Sequence, residues 1–235
     1  MLEQIFHPSE LRVDALFLSY AHIFILLLFG VCVIWMYLHR QKSYMIKVRW
    51  VLLAILLLSE ILLLIWTISN NMWTVRSNLP LNLCTISIYL SAFMLITRSY
   101  RVFEIIYFFG IGGALQALLT PDLFYTFPHF RFVHFFIAHI AIILAILYMI
   151  WVYKMTPTWK SIVKSFITLN IIAFFVFLVN IQTGANYMFL ARKPKGPSIL
   201  DWLGPYPWYI LSLEVLTLTM FILLYLPFYI KKKRL

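Results

Sequence analysis

Charge is what this chain has least of. Only 11% of its 235 residues are Asp, Glu, Lys or Arg, and 63% are hydrophobic; soluble domains carry about 25% charged residues. One soluble core of this length cannot hide so much apolar side chain, so the surroundings are lipid. Acid is the scarcer sign, with 8 Asp and Glu against 19 Lys and Arg and a net charge of +11. That excess does not imply a nucleic-acid partner, because the basic residues sit in short loops between long apolar runs, where bilayer topology accounts for them. Cysteine is scarce too. Cys32 and Cys84 are expected near opposite faces of a membrane, beyond the Cα separation of about 7 Å that a disulfide tolerates. Residues 1–14 include Glu3, Glu10 and Asp14 and lack a basic start followed by an apolar stretch, so no cleavable signal peptide is expected.

Long apolar runs are abundant. They fall at roughly 16–38, 50–69, 81–97, 102–119, 133–153, 165–182 and 207–230, and each is long enough to read as a spanning helix. The expected fold is all-α, a polytopic bundle of seven transmembrane helices in a single domain over 1–235. The loops after odd-numbered helices and the tail hold thirteen of the nineteen basic residues: Arg40, Lys42, Lys47, Arg49, Arg98, Arg101, Lys154, Lys160, Lys164, Lys231, Lys232, Lys233 and Arg234. The other side holds six, namely Arg12, Arg76, Arg131, Arg192, Lys193 and Lys195. Positive-inside bias then places the N-terminus outside and the C-terminus in the cytoplasm of a multi-pass cell-membrane protein. Lys231, Lys232, Lys233 and Arg234 are expected to rest on anionic lipid of the inner leaflet.

The few polar residues inside these runs carry the functional signal. Glu60 falls in the middle of the second run, where an unpaired ionised carboxylate costs at least about 2.5 kcal/mol. Pro80 suits the first turn of the third helix. Along that helix Asn82, Thr85 and Tyr89 form one stripe, and Cys84, Ser87 and Ser91 form another of small packing residues. Gly110 and Ala114 have small-xxx-small spacing for close helix packing. Glu104 is expected to pair with Arg98 and Arg101, and Asp122 to cap a turn or accept from Arg131. His134 and His139 are five apart, about 140° around a helix, so they are not an i,i+4 metal pair. No metal or other cofactor is expected. Asn180 and Thr183 share a face before Gly184, a suitable helix terminator. Tyr206, Trp208 and Tyr209 suit an interfacial aromatic belt. On this topology Asn70, Asn71, Glu60, Asn82, Cys84, Asp122, His134, His139, Asn180, Thr183, Asn186, Tyr187, Trp208 and Glu214 gather towards the outer half. Because they cannot face lipid cheaply, they are expected to share one outward polar pocket.

Several motifs resemble a known family. Leu79-Pro80-Leu81-Asn82-Leu83-Cys84, Leu119-Thr120-Pro121-Asp122, Phe127-Pro128-His129-Phe130, Asn180-x-x-Thr183-Gly184-x-Asn186-Tyr187-Met188 and Gly204-Pro205-x-Pro207-Trp208-Tyr209 resemble the YwaF-like bacterial membrane proteins. Those are similar to the eukaryotic transmembrane-protein-164 group. The resemblance implies acyl transfer onto ether lysophospholipids through a Cys and a His, and puts the His at His139. The eukaryotic motif reads Pro-Cys-His where this chain reads Pro80-Leu81-Asn82. Leu81 therefore occupies the nucleophile position and Cys84 is a nearby substitute.

Three functions remain open. In a lipid acyltransferase or hydrolase, Cys84 is the nucleophile, His139 the base, Asp122 or Glu214 the orienting acid, and Asn180 or Asn82 the oxyanion donor; its substrate is a membrane lipid. In a transporter or sensor of a small polar ligand, Glu60 and Glu214 titrate with the ligand. In a non-enzymatic partner of another membrane protein, the pocket is filled by its own side chains.

Overall fold

The computed structural model describes residues 5–8, 16–193 and 199–233. Glu3, Glu10, Arg12, Asp14, Lys195 and Arg234 lie outside the described residues. Among the described residues all regular structure is helical. Seven helices run in order: α1 (Tyr20–His39), α2 (Met45–Ser69), α3 (Leu83–Thr97), α4 (Tyr100–Leu119), α5 (Phe130–Trp151), α6 (Trp159–Thr183) and α7 (Trp208–Lys233). Two short 3-10 turns, Tyr187–Phe189 and Ile199–Leu203, lie between α6 and α7. Six of the seven helices are long and apolar enough to cross a membrane, and α3 is an apolar helix of 15 residues.

The helix starts follow local chemistry. Ser19 caps α1 by accepting from the His22 amide, and Ser99 caps α4 by accepting from Val102. Thr158 and Ser161 form a reciprocal capping box at α6. At the far end of α6, Gly184 adopts φ 70°, a left-handed conformation that costs glycine nothing and other residues a steric penalty. Pro80 is not in a first turn. It lies in the turn before α3, which begins only at Leu83 with Asn82 at the cap position. Helices α2 and α6 each begin several residues before their apolar runs do; their polar first turns, Met45–Arg49 and Trp159–Lys164, continue the helical hydrogen bonding beyond the apolar limit.

Helices α4 and α5 pack against each other at the centre. Helices α1 and α2 pack on α5, α6 and α7 pack on α4, and α3 wedges between α2, α4 and α5. Burial follows this order, since the central pair has 61% of its apolar window buried against 11% for α1 and α7. The outer helices therefore present their apolar side chains to lipid. Glycine permits the tight centre: a Cβ on Gly112 would meet the Met220 methyl at 2.6 Å, and one on Gly113 would meet Leu83 at 3.3 Å. Glu104 differs from expectation. Its partners are Lys164 at 2.7 Å and Ser161 at 2.9 Å on α6, because α6 faces it across the bundle, while Arg98 lies over the Tyr153 ring.

Contacts between connections define two ends. At one end Tyr187 reaches Val75 and Leu79, and Trp66 packs on Tyr125 and His129. At the opposite, basic end Arg49 reaches Tyr153, Tyr100 reaches Thr156 and Tyr37 packs on Trp151.

Candidate functional site

Helix length creates the recess. At about 1.5 Å per residue, α3 measures roughly 22 Å and α5 roughly 33 Å. Both begin or end at the basic end, so α3 stops roughly 10 Å short of the other end. The chain there runs as non-helical backbone through Leu79–Asn82, which a bilayer tolerates only where protein satisfies it. Tyr187 does so. Its hydroxyl accepts from the Leu79 amide at 2.8 Å and donates to the Val75 carbonyl at 2.6 Å.

Cys84 stands in the first turn of α3, below this strap. At about 1.5 Å of rise per residue counted from the basic end, Cys84 and His139 come at roughly 18–20 Å along their helices and Glu60 at roughly 22 Å along its own. The Leu83 contact to Gly113, at a similar calculated height on α4, supports the scale. Glu60 acts electrostatically on Cys84 and on Arg131, and His134 senses both Arg131 and His139. Across the α2–α3–α5 wedge Glu60 is thus linked electrostatically to Cys84 and Arg131, and Arg131 to His134 and His139.

Hydrogen bonds fix the two ring tautomers. His134 Nε2 donates to the Ser59 carbonyl at 3.0 Å, leaving Nδ1 to accept from Arg131 at 3.5 Å. His139 Nδ1 donates to the Phe135 carbonyl at 2.6 Å, so its Nε2 carries the lone pair. Among the described residues nothing bonds that nitrogen, the Cys84 thiol or the Glu60 carboxylate. His139 is only 7% exposed and its ring lies 4.3 Å from that of Phe135. The small-residue face of α3 is buried at Ser87 and Ser91, while Tyr89 is exposed, as the two-stripe pattern requires.

Asn70, Asn71, Asn180, Thr183, Asn186 and Glu214 are taken up by other contacts, so among the described residues the polar groups do not all share the one pocket expected from sequence. Asn180 closes a ring with the Tyr187 backbone, donating to its carbonyl and accepting from its amide, both at 2.9 Å. Asn186 holds Ala191 and Arg192. Thr183 bonds within its own helix, and its carbonyl accepts from Arg76 at 3.0 Å. Together they tie the α6–α7 connection to the α2–α3 connection. Burial raises the Tyr187 pKa within this knot. Glu214 accepts from Asn170 at 3.0 Å, a bond between α7 and α6. Asn70 bonds back to Trp66, and Asn71 turns the chain at φ 54°. Trp208 is exposed and Tyr209 fully buried, so the aromatic belt divides between lipid and core. A cavity of about 430 Å³ on the flank of α6 is lined by Phe166, Ile167, Asn170, Ile171, Phe174 and Phe175, away from all three centre helices.

Two groups stand at the rim. Asp122 is exposed as a residue, yet crowding desolvates its carboxyl and raises the pKa. His129 is buried, accepts the Arg131 amide to cap α5, and donates from Nε2 to the His7 carbonyl at 2.9 Å. Burial lowers its pKa. Among the buried polar residues His22 is one that the sequence reading did not single out. It is fully buried, donates to the Leu118 carbonyl at 2.7 Å and accepts from the Leu18 amide, locking α1 to the end of α4. Its position inside an apolar run beside a Ser cap was the available signal. Both cysteines are free thiols. No group of three or more His, Cys, Asp or Glu among the described residues is arranged to hold a metal.

The profile of the TMEM164 family matches residues 17–225. No curated protein and no solved structure matches the chain.

Proposed function

We propose, for a chain that belongs to the TMEM164 family, that the α2–α3–α5 centre performs acyl chemistry on a membrane lipid. One observation carries the reading. The Cys84 thiol and the His139 Nε2, both without a bond to any described residue, stand about equally many helical residues from the basic end, and Glu60 acts electrostatically on the thiol. His139 Nε2 takes the Cys84 proton, and the thiolate sulfur attacks the acyl carbonyl carbon. The ester oxygen departs with that proton, leaving a thioester on Cys84. A lysolipid hydroxyl then gives its proton to His139, attacks the thioester and releases the thiol; with water instead, the outcome is hydrolysis.

The orienting role falls to the Phe135 carbonyl, which holds His139 Nδ1, rather than to Asp122 or Glu214. Asn180 is committed to Tyr187, so Asn82, whose side chain makes no cap bond, supplies the oxyanion donor. The short α3 and the exposed Tyr89 give lipid lateral access. The positive-inside count supports a centre opening to the outer leaflet of the cell membrane, with Lys231, Lys232 and Lys233 on anionic lipid of the inner one.

The test is acyl exchange between a diacyl phospholipid and a lysophospholipid in proteoliposomes. Cys84→Ala and His139→Gln should each abolish exchange while thermal unfolding stays near that of the parent. Exchange that persists in Cys84→Ala removes the thiol from the mechanism. Glu60, which makes no ion pair or hydrogen bond with the described residues, favours a second reading as a proton-coupled carrier. Proton-driven uptake lost in Glu60→Gln, with no acyl exchange in the parent protein, would select it.

A further inference from the structure

The basic end of the bundle holds a second concentration of unused polar groups. Arg49 rises from the first turn of α2 and is 9% exposed. One guanidinium nitrogen donates to the Tyr153 hydroxyl at 3.1 Å, and the guanidinium lies 4.6 Å from the Trp50 ring. Its Nε has no hydrogen-bond partner among the described residues. Arg98, at the end of α3, lies 5.8 Å over the Tyr153 ring. Tyr148, from the last turn of α5, is fully buried; its hydroxyl has that of Tyr153 as a polar neighbour but is in hydrogen-bond geometry with no described residue. Its ring is 5.8 Å from that of Tyr153, and both arginines act on it electrostatically.

Two arginines therefore meet at two tyrosines, and among the described residues no acid pairs with either arginine. Among the described residues the carboxylate at this end is Glu104, and Lys164 and Ser161 hold it. A buried guanidinium without a counter-charge and a buried hydroxyl without a partner are both costly. Both costs fall if one anion with several acceptor oxygens enters. A guanidinium favours planar or tetrahedral oxyanions that accept two bonds at once. All four residues lie at helix ends, at the level where lipid phosphates sit.

We propose that Arg49, Arg98 and Tyr148 form a binding site for a phosphate-type oxyanion, at the end of the bundle opposite the acyl centre. Arg49 Nε–H and the Tyr148 hydroxyl donate to its oxygens, and Arg98 closes over it. The phosphate comes from an anionic lipid headgroup or from solution. The site is independent of Cys84 and His139.

The experiment follows thermal unfolding of the purified full chain in detergent during titration with three probes. These are inorganic phosphate, a short-chain phosphatidylglycerol and a diacylglycerol of the same chain length. Saturable stabilisation by phosphate alone identifies the free ion. Stabilisation by phosphatidylglycerol without phosphate identifies the headgroup; either result supports the site. Equal stabilisation by diacylglycerol and phosphatidylglycerol, or none by any probe, overturns it and leaves Arg49 a structural residue. Tyr148→Phe keeps the charge and the ring, removes a hydroxyl that is in hydrogen-bond geometry with no described residue, and should fold with little loss. It should weaken binding about tenfold, as expected for one hydrogen bond to a charged group. Arg49→Gln should abolish saturable binding. Unchanged affinity in Tyr148→Phe overturns the proposal even if Arg49→Gln fails to fold.

Discussion

Replacing Tyr187 by Phe tests the knot that holds the non-helical strap above Cys84. The ring is 2% exposed and remains in place; only the hydroxyl goes. That hydroxyl donates to the Val75 carbonyl at 2.6 Å and accepts from the Leu79 amide at 2.8 Å, so two backbone groups lose their partner at once. A fully buried orphan costs about 1–3 kcal/mol. Val75 is exposed and Leu79 half-buried, so each loss belongs near the low end, about 2–3 kcal/mol for the two together. For a chain of this length that predicts a fall in Tm of about 4–12 °C, read by tryptophan fluorescence in detergent. The same change frees the strap that feeds into α3, so maleimide should label Cys84 faster at temperatures well below Tm. An unchanged Tm with unchanged labelling refutes the claim that this hydroxyl holds the strap.

Further predictions test the packing and the rim. A Cβ on Gly110 would approach Ile106 at 2.7 Å and Ile146 at 3.0 Å, so Gly110→Val should cost about 1–3 kcal/mol through overpacking of α4 on α5; a Tm equal to the parent's would show that the helices yield freely. Burial holds the His129 pKa below its ordinary 6.5. The unfolded chain therefore binds the extra proton first, and the stability that neutral His129 contributes is complete above pH about 6.5 and lost as pH falls towards the folded value. Tm measured from pH 8 down to pH 5 should fall, and His129→Asn, which keeps a capping acceptor, should flatten the slope. Equal slopes in parent and variant would exclude His129 as the source.

The architecture was legible because lipid imposes it. Seven apolar runs separated by polar breaks leave the backbone little choice but helices, and the structure has those seven. Alternation along α3 likewise separates Ser87 and Ser91, which are buried, from Tyr89, which is not. Cost arguments marked Glu60 and His139 as unusual, since each sits where a polar group must be explained. Those arguments act on one helix at a time. They state that a polar side chain avoids lipid, not which neighbour receives it.

That neighbour was decided by tertiary packing. Glu104 had basic residues three and six positions before it, yet Lys164 from α6 takes the charge. Asn180, Asn186 and Tyr187 have the residue types of a polar site, but the fold uses them to tie two loops together. The centre is narrower than composition suggested because hydrogen-bond capacity was satisfied wherever two helices already touched. Among the described residues Glu60, Cys84 and the Nε2 of His139 keep unused hydrogen-bonding capacity near the short α3, whose length is written in the chain but whose neighbours are not. Sequence alone determined that the chain spans a bilayer as helices and which of its side chains lipid would reject. The structure alone determined which of those side chains meet, because contact depends on how whole helices cross.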